Sequence, residues 1–219
     1  AFIDDDAVAE KDWLEKLTEP FQSQNVVAVG GRAIPIWSNG TRPLWFPEEL
    51  DWIVGCTYKG LPLKGNEIRN VPGGNMAFRK EVFEQAGYWQ TEIGGTGQSQ
   101  KGGEEAELCL RIKSEISNAL IVYEPNATIH HRVPSHRASP KWVFKNSFDQ
   151  GICKAKVNKI SSTQEALTVE NSYLRYLLCT SIPQRLKHFY KKGSLSQIVI
   201  IVLSIAATGV GYLVGKVKG

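Results

Sequence analysis

Three short stretches of this chain concentrate residue types that can do chemistry: Asp4-Asp5-Asp6, Glu104-Glu105 and His130-His131. Adjacent carboxylates repel, and neutralising them with protons requires strongly raised pKa values. A bound cation removes the conflict. On a strand, alternation puts Asp4 and Asp6 on one face and Asp5 on the other. Two carboxylates at the C-terminal tip of an α/β strand suit a divalent cation and a phosphate ligand, although acidic triplets also occur as solvated turns and helix caps. Glu104-Glu105 follows the glycine-rich run GGTGQSQKGG and opens a helix. A carboxylate at the floor of such a loop can accept a proton from a hydroxyl, and acids at a helix start also complement its dipole. His130 and His131 fall on opposite faces of a strand, so that one can face a site, and neutral imidazole is a frequent metal ligand.

The elements that must position these groups can be read in outline. Residues 1–3 read as the end of a buried strand. From Asp12, DWLEKLTEPF reads as a helix with Trp13, Leu14, Leu17 and Phe21 on one face and Asp12 with Glu15 as a capping pair. VVAVG at 26–30 reads as a strand, Gly30-Gly31 as a break, and 32–37 as a further strand interrupted by Pro35. Residues 38–70 read as a long loop region. Trp37, Trp45, Phe46, Trp52 and Tyr58, in and beside it, read first as packing residues and second as a sugar-stacking wall. A short strand at 76–78, a helix at 80–86 capped by Gly87, and a helix from Glu104 burying Leu108, Cys109 and Ile112 follow. ALIVYE at 119–124 is a strand, Pro125-Asn126 turns the chain, and ATIHHRV is another strand. Ser139-Pro140 supplies an N-cap and first turn for a helix to about Lys159.

The rest of the chain has a different character. The formal charge of +4 is modest and argues for no nucleic-acid partner, yet the basic residues crowd Arg132 to Lys192. At 170–192, Tyr173, Leu174, Leu177, Leu186 and Phe189 alternate with Arg175, Arg185, Lys187, Lys191 and Lys192. That mixture suits a helix lying on anionic lipid and equally an amphipathic core helix. LSQIVIIVLSIAATGVGYLVG at 195–215 has no charge, and it matches the ~20 residues that cross a hydrocarbon core. Lysines flank it, and the excess before it predicts that residues 1–192 are cytoplasmic. Ala207, Gly211 and Gly215 fall at small-xxx-small spacing. Cys56, Cys109, Cys153 and Cys179 lie far apart and read as free thiols. The expected division is 1–160 as the C-terminal part of an α/β domain, 161–193 as a basic amphipathic, membrane-interfacial segment and 194–215 as a transmembrane helix.

The order of the motifs is more specific than any one of them: strand–DDD, PGGNMAFR, GGEE–helix, strand–HH. AFIDDDA with DWL, VPGGNMAFRKEVFEQAGYW, GGEEAELCLRI and YEPNATIHHRVPSHR resemble the family-2 glycosyltransferases of GT-A fold, over roughly residues 1–155. Within that family the likeness is to the branch similar to glucosyl-dolichyl-phosphate glucuronosyltransferases and cyanobacterial exopolysaccharide glycosyltransferases. The resemblance implies an α/β, Rossmann-like GT-A domain followed by a transmembrane helix. It also implies an inverting transfer from a nucleotide-sugar to a lipid-linked or polysaccharide acceptor at a membrane. Asp4-Asp5-Asp6 resembles the DXD motif, with Asp6 on Mg²⁺ or Mn²⁺ and Asp4 on the metal or the donor. Gly73-Gly74-Asn75 resembles the glycine loop bordering donor and acceptor, His131 the late metal-site histidine, and Arg137 a residue that holds the diphosphate or a mobile C-terminal loop. Glu105, or second to it Glu104, stands where the family has its base, with Glu replacing the usual Asp. No QxxRW-like motif is present, which implies single-sugar transfer. The family's N-terminal βαβ units would precede the DXD strand, and only three residues do so here. The expectation is an N-terminally truncated fragment that is inactive alone. A metal-dependent phosphotransferase and a non-catalytic membrane protein retaining the fold are the competing readings.

Overall fold

A five-stranded sheet with strand order β1-β4-β3-β5-β2 carries the molecule. It comprises β1 (Phe2–Ile3), β2 (Ala7–Ala9), β3 (Val26–Trp37), β4 (Asn75–Phe78) and β5 (Leu120–Val133). The computed structural model describes residues 1–61, 66–90, 102–161 and 167–218. Only β3 and β5 run parallel; β4 is antiparallel to β1 and β3, and β2 is antiparallel to β5. Helices α1 (Trp13–Thr18), α2 (Glu81–Ala86), α3 (Glu104–Glu115) and α4 (Pro140–Ser161) are followed by α5 (Thr168–Tyr176), a π-helical stretch Leu177–Ser181, α6 (Ile182–Lys187) and α7 (Ser194–Lys218).

Several expectations change. Gly30-Gly31 does not break the strand: β3 runs through it with a register shift between Gly31 and Arg32. A Cβ on Gly30 would overlap Pro72, and one on Gly31 would overlap Asn75 and the Ala127 carbonyl, so these glycines admit neighbouring backbone to the sheet. Pro125-Asn126 is likewise a bulge and not a turn, because pairing with β3 passes from Glu124 directly to Thr128 and β5 continues. Phe2 and Ile3 lie in an edge strand and are exposed rather than buried. Asp12 makes no capping hydrogen bond; it pairs with Lys16 at 2.6 Å, and Leu14 points to solvent. Within 38–70 a 3-10 helix spans Glu48–Val54. Trp37 and Phe46 are core residues that meet edge to face, and Tyr58 packs on Tyr173, so the packing reading of these aromatics holds.

As the periodicity predicts, α3 buries Leu108, Cys109 and Ile112, and Ser139 Oγ accepts a hydrogen bond from Trp142 N at the start of α4. The chain from α5 to α6 docks on the 3-10 helix through Leu177 and Ser181, both buried. Helix α7 is uncharged over 194–215, long and apolar enough to cross a membrane, and it packs along α4. The glycine-rich residues 91–101 ahead of α3 lie outside the described residues.

Candidate active site

The acidic triplet sits in a tight turn between β1 and β2, closed by a hydrogen bond from Ala7 N to Asp4 O. Asp4 and Asp6 do face the same side, as alternation suggested, but the turn achieves it and not a strand. Asp5 is exposed. Two backbone bonds fix the turn: Asp4 N donates to Gly74 O, and Arg132 N donates to Asp6 O. The second sets the triplet against β5 beside His131.

His131 is almost fully buried, and its Nε2 lies 3.1 Å from Asp6 Oδ1 and 3.6 Å from Asp4 Oδ2. The donor atoms of Asp4, Asp6 and His131 all lie within 4.8 Å of one another. Hard oxygen donors with one imidazole fit Mg²⁺ or Mn²⁺, because such cations take oxygen-rich sites and imidazole tolerates them. His130, on the other face of β5, instead pairs with Glu10 at 2.7 Å near the surface. The other ring nitrogen of His131 lies 3.7 Å from Cys56 Sγ. Nothing in the sequence marked Cys56 as a neighbour of the site, because the 3-10 helix that delivers it has no distinctive pattern.

Across the turn stands α3. A Cβ on Gly73 would overlap the Glu105 carboxylate, and a Cβ on Gly74 would overlap that of Asp4. The glycine pair therefore forms the contact between the acidic turn and the head of α3. Asn75, grouped with these glycines from the sequence, does something else. Its side chain is fully buried, donates to the carbonyls of Arg32 and Ala127 at 2.9 and 2.8 Å, and accepts from Trp13 Nε1 at 2.8 Å. It anchors the glycine turn to the sheet.

The electrostatics of this corner are unusual. Loss of solvent raises the Asp4 carboxyl; His131 and Arg137 oppose that rise, while Asp6 and Asp5 add to it. Burial raises Glu104, and burial, the Glu104 charge and the Asp4 charge together push Glu105 to about 7. Among the described residues, Glu104 Oε2 and Arg137 Nε are buried polar atoms with no hydrogen-bond partner. Arg137, in the 3-10 turn Ser135–Arg137, stacks its guanidinium 5.7 Å from the Trp142 ring. A partly buried guanidinium over an aromatic ring, with an unpartnered buried Nε–H and a charge that acts on Asp4, is suited to an anionic ligand. The arrangement thus places a group that could hold a cation, and a carboxylate of near-neutral pKa, on the two sides of one glycine turn.

Comparisons with known proteins bear on this set. The profile of the family described as "Glycosyl transferase family 2" matches residues 1–87. A glucosyl-dolichyl phosphate glucuronosyltransferase of Haloferax volcanii is 34% identical over 219 residues, covering 98% of this chain and 69% of that protein. The succinoglycan biosynthesis protein ExoM of Rhizobium meliloti is 29% identical over 154 residues, 69% of this chain and 45% of its own length. A pre-mycofactocin glycosyltransferase of Mycobacterium tuberculosis is 24% identical over 206 residues, 93% of this chain and 40% of its own length. The chain therefore spans about two thirds of the first relative and under half of the other two.

Proposed function

We propose that this chain, which belongs to glycosyl transferase family 2, moves a single sugar from a nucleotide-sugar donor to a lipid-linked or polysaccharide acceptor with inversion at the anomeric carbon. The observation that carries the reading is the Gly73-Gly74 turn, which brings Glu105 to one side and Asp4, with Asp6 and His131, to the other. Asp4, Asp6 and His131 are the residues that would hold a divalent cation, and Asp5 sits outside that set. When bound there, Mg²⁺ or Mn²⁺ supplies countercharge to the departing diphosphate. Arg137 binds the diphosphate through its free N–H, and the Gly73-Gly74 backbone lies against the sugar, where a side chain would collide.

Glu105 is the base. With its pKa near 7 it is substantially ionised at neutral pH and still basic enough to take a proton. It accepts the proton of the acceptor hydroxyl as that oxygen bonds to the anomeric carbon. The bond from that carbon to the diphosphate oxygen breaks on the opposite face, and the electron pair leaves with the nucleoside diphosphate. Glu104, whose charge raises Glu105, keeps its neighbour protonatable.

The acceptor class is supported by the relatives' names, which couple glucosyl-dolichyl phosphate with glucuronosyl transfer and a protein with succinoglycan biosynthesis. Both fit cell-surface glycan or exopolysaccharide synthesis at a membrane. We assign residues 1–160 to catalysis on the cytoplasmic face, with 161–193 and the apolar 194–215 as the membrane-associated part.

A donor screen tests this. The purified full-length protein is supplied with Mn²⁺ and a panel of nucleotide-sugars, with glucosylated polyisoprenyl phosphate as acceptor. Transfer by the wild type and its loss in Glu105→Gln are expected. Release of phosphate with no acceptor requirement and no effect of Glu105→Gln would favour a phosphotransferase. Absence of turnover and of Mn²⁺-dependent nucleotide binding would favour a non-catalytic protein.

A further inference from the structure

Length and composition alone allow α7 to cross a bilayer, but its contacts are those of a helix with one side already committed. Ile200 and Ile201 are buried in the cluster that contains Trp37, Phe46 and Leu177. Ser204 Oγ meets Ser147 Oγ of α4 at 2.8 Å, and Tyr212 Oη accepts from Asn158 Nδ2 at 3.2 Å. Between these points the backbones are in close contact: a Cβ on Gly211 would overlap the Phe148 carbonyl, and one on Gly151 would overlap Thr208 O. Gly215 lies against Ile152 and Ala155. The contacts ascend together, 147 with 204, 151 with 208, 155 with 215, so the two helices run parallel for ~16 Å at the helical rise. The four-residue spacing of small groups is used, but by α4 of the same chain.

Helix α4 cannot follow α7 into hydrocarbon. Lys141, Lys145, Lys156 and Lys159 are exposed along it, and Lys145 pairs with Asp149 at 2.8 Å. Its opposite side is fixed to α3 and α5: Cys153 and Val157 pack with Leu110 of α3, and Lys154 pairs with Glu170 of α5 at 2.7 Å. Charged side chains at membrane depth are strongly disfavoured, so a crossing α7 would have to abandon this packing.

The outer side of α7 is the reverse. Leu195, Val199, Val202, Val210, Leu213 and Val217 are each at least half exposed and recur at three- and four-residue intervals or their sums, with exposed Ala206 filling the gap. Before α7, exposed Phe189 and Tyr190 sit among Lys187, Lys191 and Lys192. From Asn171 to Gly219 the sequence has no Asp or Glu and seven Lys or Arg. That complements an anionic surface, and it argues against a second copy as occupant, since two such segments would repel. Aromatic side chains beside lysines are the composition of a headgroup interface.

We propose that α7 lies in the plane of an anionic bilayer, its outer stripe at the headgroup–acyl boundary and its inner side on α4, with Phe189, Tyr190 and the adjoining lysines as interfacial anchors. This rests on the membrane reading of the C-terminal segment and specifies its geometry. An in-plane helix explains why α7 is apolar all round: one half faces protein and the other faces lipid.

The test is vesicle flotation of the full chain with phosphatidylcholine vesicles with and without 30 mol% phosphatidylglycerol (about a third anionic lipid), combined with depth-dependent quenching of probes placed singly at Val199, Val210 and Leu213. Flotation on the anionic vesicles that falls at least tenfold in Val202→Glu/Val210→Glu/Leu213→Glu is expected, with unchanged circular dichroism and thermal unfolding. The three probes should report one shallow depth, about 5–10 Å below the surface. Probe depths that pass through the midplane from 199 to 213, with resistance to alkaline carbonate extraction, would overturn the in-plane geometry and leave the membrane reading standing. No flotation on either vesicle would overturn both. A dimer in solution that the triple variant converts to monomer would assign the stripe to a second copy and overturn the proposal.

Discussion

Glu170 and Glu105 are both glutamates withdrawn from water, and their chemistry is opposite. Burial pushes Glu170 up, but Lys154 at 2.7 Å and Arg69 at 2.6 Å outweigh it and hold the carboxyl at about 2. Among the described residues, no cation is among the main influences on Glu105. Burial and the charges of Glu104 and Asp4 push it to about 7. Glu49 behaves like Glu170: it is buried, but Arg185 and Ser181 hold its carboxyl below the ordinary range. Asp51 lies between, its bidentate Arg42 pair at 2.6 and 2.8 Å failing to offset burial, which lifts it to about 6. Where an acid ties helices together, the fold supplies a base. Around the Gly73-Gly74 turn it leaves acids under-compensated, and uncompensated charge in a cleft is the physical mark of a group kept for a ligand or a reaction.

The largest effect that would break this contrast is on turnover. Glu105→Gln removes the proposed proton acceptor while keeping size and most packing, so sugar transfer should fall by about 10³-fold, the middle of the range for a general base. Glu104→Gln should act indirectly, by lowering the Glu105 pKa, and should shift the lower limb of the pH–rate profile toward acid with a smaller loss of rate. A larger loss in Glu104→Gln would exchange the two roles. Both variants are read by single-turnover transfer rates at saturating donor.

On the compensated side, the expected damage is to folding. Arg185 Nη2 lies 2.7 Å from Glu49 Oε2, and Glu49 is 1% exposed. Arg185→Ala strands a buried carboxylate and should destabilise by about 3–5 kcal/mol, measured by denaturant unfolding. Arg185→Met with Glu49→Leu should recover most of that loss, since an apolar pair of similar volume avoids the desolvation cost. If the double variant is as unstable as the single, the pair contributes through its hydrogen bonds to Ser181 and not through its charge.

The same contrast sets what could be read from the sequence. The acidic turn, the glycine pair, Glu105 and His131 were legible because each is a local pattern of unusual residue types in a fixed order. Helices α3 and α4 were legible from periodicity and from Ser139-Pro140. Gly30-Gly31 and Pro125-Asn126 misled, because local breaker signals do not reveal that β3 and β5 run on by bulging around each other. Asn75, read from the sequence as a donor-binding residue, is also a clamp within the sheet, a role fixed by Trp13, Arg32 and Ala127, which lie 43 to 62 positions away. Partners at that separation leave no local trace. Glu49–Arg185 and Arg69–Glu170 were invisible for the same reason. The apolar C-terminal helix was plain from composition, whereas its pairing with Ser147, Gly151 and Ala155 required both helices in place.

The smallest effect is the most direct comparison of the two acids, through the pH dependence of stability. Glu170 is depressed from 4.5 to about 2, so its contribution is fully present above pH 4.5 and is lost as pH falls through about 2. Glu105 is raised from 4.5 to about 7, so folding favours its protonated form, and the associated stability is lost as pH rises from 4.5 through 7. Each shift corresponds to roughly 3 kcal/mol at most. Urea unfolding at pH 3, 5 and 8 separates them. Wild type should lose stability between pH 5 and 8 through Glu105, and Glu105→Gln should flatten that limb and be the more stable protein at pH 8. Glu170→Gln should leave that limb intact, flatten the acid one, and be weaker at pH 5 because Arg69 and Lys154 then face each other without their shared carboxylate. Parallel curves for wild type and Glu105→Gln from pH 5 to 8 would mean that Glu105 is solvated like any surface acid, and the distinction between compensated and uncompensated acids would fail at the residue proposed as the base.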